Sequence, residues 1–167
     1  SKISVTFIDI SIPNMDIKLI PKAVLRAVLI SICLMSIIVS NITDVINPQL
    51  GEKLLDPACG TGGYLTCAIE HLKAQAQNVE QRKSIEENIA GWEYKPLPYL
   101  LATTNLILHD IEIPNVKFGD ALDQPLSNFT EKNRVNVILA NPPFGGIVAN
   151  NNETNFPQTY RTKESAD

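Results

Sequence analysis

Histidine and cysteine are scarce in this sequence, and neither is grouped. His71 and His109 stand far apart, and Cys33, Cys59 and Cys67 form no CxxC pair and no Cys/His ligand spacing. No metal centre is therefore expected. The odd cysteine count, with no secretory leader at the start, argues for reduced thiols in a cytoplasmic setting rather than a disulfide framework. Excess positive charge is missing too. Lys and Arg total 14 against 18 Asp and Glu, a net charge of −4, whereas a chain that grips nucleic acid unaided presents a basic face to the phosphates. Work on DNA would need a partner or a further segment to supply much of the grip. A bilayer-crossing run is also lacking. Ala27 to Val39 (AVLISICLMSIIV) is apolar, but it ends at Ser40-Asn41 and falls short of the roughly 20 residues a span requires. A buried helix or strand is expected there, with no membrane contact.

What is present fits one globular domain. The 167 residues are 44% hydrophobic and 19% charged, enough to bury a sizeable core and too few for two ordinary domains. Residues 1–20 lean weakly toward strand and break at Pro13-Asn14. Residues 22–46 predict one or two apolar helices ending near Asn47-Pro48, because proline disfavours helix in the residue before it. Residues 1–46 are accordingly set apart from a regular domain over 47–167.

From Gly51 the pattern alternates. Lys53-Leu54-Leu55-Asp56 predicts a short strand running into a glycine-rich turn. Tyr64 to Glu86 predicts a helical stretch with Leu65, Ala68, Ile69 and Leu72 on one buried face. Ile89 to Glu93 predicts a second strand, Pro98 to His109 a second helix, and Val116 to Asp120 a third strand. Val135 to Ala140 predicts a fourth, apolar as a strand covered on both faces should be. Residues 147–167 are polar and irregular, and predict a loop. Alternating strands and helices with short connections predict an α/β fold, a doubly wound parallel sheet with helices on both faces. Ligands sit at the carboxyl ends of such strands, where the glycine turn, Glu93, Asp120 and Asn141 all fall.

The first candidate site is Asp56-Pro57-Ala58-Cys59-Gly60-Thr61-Gly62-Gly63. Three glycines in four positions let the backbone turn sharply and approach a ligand, and the helix that follows presents unpaired N–H groups. The string is neither GxGxxG nor a P-loop, since it lacks GK[ST]. A tight structural turn would account for Gly62 or Gly63 but not for the octet. DPACGTGG resembles the first motif of amino-methyltransferases, which cradles the methionine end of S-adenosylmethionine. That resemblance implies a Rossmann-like methyltransferase fold, with the Thr61-Gly62-Gly63 backbone against the cofactor and Asp56 near its amino group.

Glu93, at the end of the second strand, can accept hydrogen bonds from both ribose hydroxyls, and it could equally be an ordinary surface glutamate. Asp120 follows the third strand, where the resemblance implies contact with the cofactor's adenine amino group; Gly119-Asp120 also reads as a plain turn. Asp110 competes weakly, at the wrong end of the layout. Asn141-Pro142-Pro143-Phe144 resembles the fourth motif of adenine-N6 and cytosine-N4 methyltransferases. The Asn141 side-chain oxygen and the Pro142 carbonyl can accept from an exocyclic amine and pull its nitrogen toward tetrahedral geometry. Consecutive prolines fix the carbonyls, and Phe144 offers a flat face to a base flipped from the duplex. A related tetrapeptide occurs in methyltransferases of protein glutamine and ribosomal RNA guanine, so it does not name the substrate alone.

Longer strings narrow the choice. NPQLGEKLLDPACGTGGYL, EYKPLPYLLATTNLILHDI and NPPFGG with NFPQTYRTKESAD are similar to the modification subunit of type I restriction systems, over Asn47 to Asp167. The resemblance implies an S-adenosylmethionine-dependent adenine-N6 DNA methyltransferase, partnered by a specificity subunit and in some assemblies a restriction subunit. The family's aromatic-Thr-Pro-Arg element is matched only faintly by Ile20-Pro21-Lys22-Ala23-Val24. It also implies strands beyond a fourth, in the order 3-2-1-4, so a chain ending here is expected to be truncated and to leave that strand as an open apolar edge. Such a piece could instead be a non-catalytic cofactor-binding or assembly fragment.

Overall fold

A computed structural model describes residues 22–128, 130–142 and 155. The strand-leaning start, the Ile20-Pro21 element and the polar tail, apart from Asn155, lie outside the described residues. Two compact units divide at Met35 and Ser36, and the sheet belongs wholly to the second. Helix α1 (Lys22–Ile46) is continuous. It ends where Asn47 takes a positive φ of 50° and the buried Pro48 follows. Among the described residues no helix is long and apolar enough to cross a membrane.

The second unit is built on four parallel strands, β1 (Leu54–Asp56), β2 (Ile89–Glu93), β3 (Val116–Phe118) and β4 (Val137–Ile138), in the spatial order β3-β2-β1-β4. Both the parallel sheet and its order match the sequence expectation. After β1 come α2 (Gly63–Gln75) and α3 (Val79–Asn88), and α4 (Pro96–Leu108) joins β2 to β3. Helices α2 and α4 pack on each other and both pack on β2, as right-handed crossovers running in one direction require. The path from β3 back across the sheet to β4 reverses direction, which is the doubly wound arrangement. It is made by three short 3-10 turns, Ala121–Asp123, Leu126–Asn128 and Glu131–Asn133, instead of a full helix.

The predicted buried face of α2 is the centre of the core. Leu65, Ala68 and Ile69 are completely buried and Leu72 nearly so, packed with Leu54, Ile85, Ile89, Ala102, Leu106, Ile111, Val116 and Leu139. Three expectations need correction. The stretch Tyr64 to Glu86 is two helices. Ala76 leaves α2 with an extended backbone, and the Asn78 side chain caps α3 by accepting from the Gln81 N–H, while Gln81 Oε1 accepts from the Gln77 N–H at 2.6 Å. Asn-x-x-Gln is a legible start signal. Helix α4 begins two residues before Pro98, at Pro96, because a first turn needs no backbone donors there. Only Ala102 and Leu106 of α4 are buried; Leu100, Leu101, Ile107 and Leu108 are exposed.

The third correction concerns β4, which is shorter than Val135 to Ala140 and is not covered on both faces, since Ile138 is 61% exposed. Pairing with β1 nonetheless extends past its formal ends. Lys53 donates to Asn136 Oδ1 at 2.9 Å, the Asn136 and Val137 N–H groups donate to the Lys53 carbonyl, and the Leu139 N–H donates to the Leu55 carbonyl at 3.1 Å.

Gly91 sets how closely the first turn can lie on β2. A methyl group there would meet Leu65 Cδ1 at 2.8 Å and Cys59 Sγ at 3.1 Å, and the fully buried Leu65 has little room to retreat. Gly91→Ala should destabilise the fold by about 1–3 kcal/mol, read as a lower urea midpoint with an unchanged slope. An unchanged midpoint would show that the core yields at this point.

Candidate active site

Four strand ends converge at one edge because the strands are parallel and in register. Leu54 and Leu55 lie opposite Ile89 and Ala90 on one side and Val137 and Ile138 on the other, and Glu93 lies opposite Phe118. The turn after β1, Glu93, the Gly119-Asp120 corner and Asn141-Pro142 therefore emerge side by side. Pro143 and Phe144 lie outside the described residues.

The turn is built from inside outward. Asp56 ends β1 with only 1% of its surface exposed, and its Oδ1 accepts from the Ala58 N–H at 3.0 Å, which folds Pro57 and Ala58 back over it. The buried Cys59 donates its N–H to the Trp92 carbonyl at 2.9 Å, tying the turn to β2. The Gly62 N–H closes the turn on the Cys59 carbonyl at 2.8 Å. Gly62 caps α2 in the left-handed region, at φ 85°. A side chain on it would meet the Ala102 Cα at 3.3 Å, so this turn presses against the backbone of α4. At Gly60 and Gly63, by contrast, an added Cβ would meet no atom of the described residues within 4 Å beyond the adjoining backbone. The turn thus has a packed inner side and an open outer one.

Glu93 reaches across to this turn. Its Oε2 accepts from the Gly60 N–H at 2.9 Å and its Oε1 from the Lys95 N–H at 2.7 Å. Each carboxylate oxygen keeps a second lone pair for a ligand hydroxyl. Asp120 is half-buried and caps the Ala121–Asp123 turn through Oδ1, which accepts from the Leu122 N–H at 2.9 Å. Asp110 lies far from this edge. It follows the His109 cap of α4 at a positive φ of 59° and pairs with Lys73 at 3.0 Å.

Electrostatically the edge is acidic. Burial, partly opposed by the Ala58 N–H and reinforced by the nearby Glu93 charge, raises the Asp56 carboxyl to about 6. Burial, with Asp56 and Glu93 adding to it, pushes the Cys59 thiol up to about 12, so Cys59 is a packing residue and not a nucleophile. Two acids beside a glycine turn and a helix N-terminus suit a ligand that joins a cationic group to a hydroxylated one. A separate cavity of about 340 Å³ lies among Thr43, Asp44, Cys67, Glu70, His71 and His109. Its two histidines are paired with its two acids, His71 with Asp44 at 3.1 Å and His109 with Glu70 at 3.0 Å.

Sequence reasoning missed one residue that holds the turn. Asn105, on α4, donates from Nδ2 to the Thr61 carbonyl at 2.7 Å. It is 44 residues away in the chain, and no short-range pattern marks it.

The N-6 DNA methylase family matches residues 35–167. The chain is 47% identical, over 124 residues, to the methylase subunit of the type I restriction enzyme EcoEI from Escherichia coli, covering 73% of this chain and 25% of that protein. Among solved structures it is similar to a modification subunit, assigned to a type I restriction enzyme, from Vibrio vulnificus YJ016. That match has 47% identity and a TM-score of 0.71, and covers 76% of this chain and 26% of that one. The crystal structure of the EcoKI M protein matches with 28% identity and a TM-score of 0.58, covering 66% and 24%. The chain thus spans about a quarter of the length of the relatives it matches.

The burial of Asp56 carries a stability signature. Its folded pKa of about 6 lies above the ordinary 3.8, so the folded chain takes up a proton more readily than the unfolded one. This group therefore adds stability as pH falls from about 6 toward 4 and withholds on the order of 3 kcal/mol above pH 6. Asp56→Asn should be at least as stable as the parent at pH 8, with its advantage shrinking as pH drops to 4. A constant difference across that range, in urea melts, would refute the buried charge.

Proposed function

The chain belongs to the N-6 DNA methylase family, and from that membership we propose that it carries the cofactor and catalytic edge of an S-adenosylmethionine-dependent adenine-N6 DNA methyltransferase. In this reading it serves in the cytoplasm as the modification subunit of a type I restriction system. One observation carries the reading. β1 and β4 are neighbours, so the glycine turn and Asn141 leave adjacent strands at the same edge.

The residues fit the cofactor. The open outer side of Gly60 and Gly63 leaves space for it, with the Thr61-Gly62-Gly63 backbone along its methionine end. Asp56, buried behind the turn, would lie near the amino group, with Glu93 at the ribose hydroxyls and Asp120 at the adenine amino group. Bound there, S-adenosylmethionine supplies an electrophilic methyl group. Asn141 Oδ1 and the Pro142 carbonyl accept the two N–H bonds of the target amine and free its lone pair from the ring. Pro143 and Phe144 lie outside the described residues; in this reading they would complete the motif, with Phe144 offering its ring to the displaced adenine. With a net charge of −4, the chain relies on a specificity subunit to choose and hold the DNA site; a restriction subunit would join the same assembly.

Calorimetry tests the first half: the chain should bind S-adenosylmethionine, weakening as pH falls below 6 and Asp56 takes up its proton, and Glu93→Ala should abolish the binding. Asn141→Ala should leave binding within about twofold and, in the assembled enzyme, lower radiolabelled methyl transfer to unmethylated DNA at least about a hundredfold. Equal loss of binding and transfer in Asn141→Ala would overturn its role. A folded chain that ignores the cofactor would overturn the whole reading.

A further inference from the structure

Three glycines in the turn solve one problem and create another. They allow positive φ at Gly60 (55°) and Gly62 (85°), but glycine loses more conformational freedom on ordering than any other residue. A segment of this composition has many backbone arrangements of similar energy. Something outside the turn must select one, or the N–H groups that face a ligand will not be held ready for it.

The Thr61–Gly62 peptide unit is where that selection occurs. Its carbonyl and its N–H belong to one trans plane and point in opposite directions. The N–H donates to the Cys59 carbonyl at 2.8 Å. The carbonyl accepts from Asn105 Nδ2 at 2.7 Å. The plane is thus pinned at both poles, once from within the turn and once from α4. Asn105 sits one helical step from Ala102 and beside Leu106, the two α4 residues against which Gly62 packs. The same helix therefore presses on the turn and fixes its orientation.

We propose that Asn105 is a positioning residue of the cofactor turn: by holding the Thr61 carbonyl it locks the Thr61–Gly62 peptide in the one orientation that leaves the turn's outer side shaped for the methionine end of the cofactor. The inference rests on the cofactor reading proposed above, but the anchor itself is a property of the chain alone. Preorganisation of this kind shows as affinity, because the free turn no longer has to be ordered on binding. The net worth of one such hydrogen bond sets the scale at about five- to tenfold. The effect is selective, since only the part of a ligand that touches the turn should feel it.

The test compares the parent chain with Asn105→Ala and with Asn105→Asp, which keeps the shape and removes the donor. Amide hydrogen exchange should accelerate at Gly62 at least fivefold in both variants and stay unchanged at Leu65, Ile69 and Leu72. By calorimetry, S-adenosylmethionine and S-adenosylhomocysteine should each bind about five- to tenfold more weakly. 5′-Methylthioadenosine, which lacks the amino-acid end, should bind within twofold of the parent. Unchanged exchange at Gly62 would overturn the anchor. Equal weakening for all three ligands, with a lower melting temperature, would reduce Asn105 to a structural part. A parent chain that binds none of the three would sink the cofactor reading, while the exchange measurement would still decide the anchor.

Discussion

The close approach of the Cys59–Gly63 turn to α4 on one side and β2 on the other is the constraint on which the rest of this edge depends. It is possible because two positions have no side chain. At Gly62 even a methyl group would touch the Ala102 backbone, and at Gly91 it would enter the space of Leu65 and Cys59. With those side chains absent, β2 can bond the Cys59 N–H, Glu93 can reach the Gly60 N–H, and Asn105 can reach the Thr61 carbonyl. Two elements, β2 and α4, thereby hold one short loop through three hydrogen bonds, where propensity alone would leave it unordered.

The second consequence is electrostatic. Bringing β1 and β2 together at this point buries Asp56 and sets it near Glu93, and both effects raise its pKa. Among the described residues neither Lys nor Arg neutralises Asp56, and a buried carboxylate of that kind is a stability burden. Natural proteins carry such burdens where a ligand relieves them, and a cationic group seated at the turn would do so here. The acid character of the edge and the net negative charge of the chain also fit the proposed division of labour, in which this unit would handle the cofactor and other surfaces the phosphate backbone.

Sheet order follows from the same geometry. Two crossovers in one direction place α2 and α4 together over β1, β2 and β3, and the reversal to β4 places the Asn141 strand directly beside the glycine strand. In open parallel sheets that reversal is where ligands bind. In the proposed reading the roles separate accordingly, with cofactor groups at the ends of β1, β2 and β3 and the acceptors for the amine just after β4.

Much of this was legible in the chain itself. Local chemistry dictates the glycine turn, the buried face of α2 at Leu65, Ala68, Ile69 and Leu72, the second strand from Ile89 to Glu93, and the acids at strand ends, since each depends on residues within a turn or two. The break between α2 and α3 was equally legible in Asn78 and Gln81, although helical periodicity overrode it. The short β4 was not, because Asn136 bonds Lys53 across the sheet, and no local pattern records a partner so distant. Nor could sequence show that Asp56 would be buried with a pKa near 6 or that Asn105 would hold Thr61. Both facts arise when segments far apart in the chain are packed within hydrogen-bonding range, where desolvation and orientation, absent in the extended chain, take over.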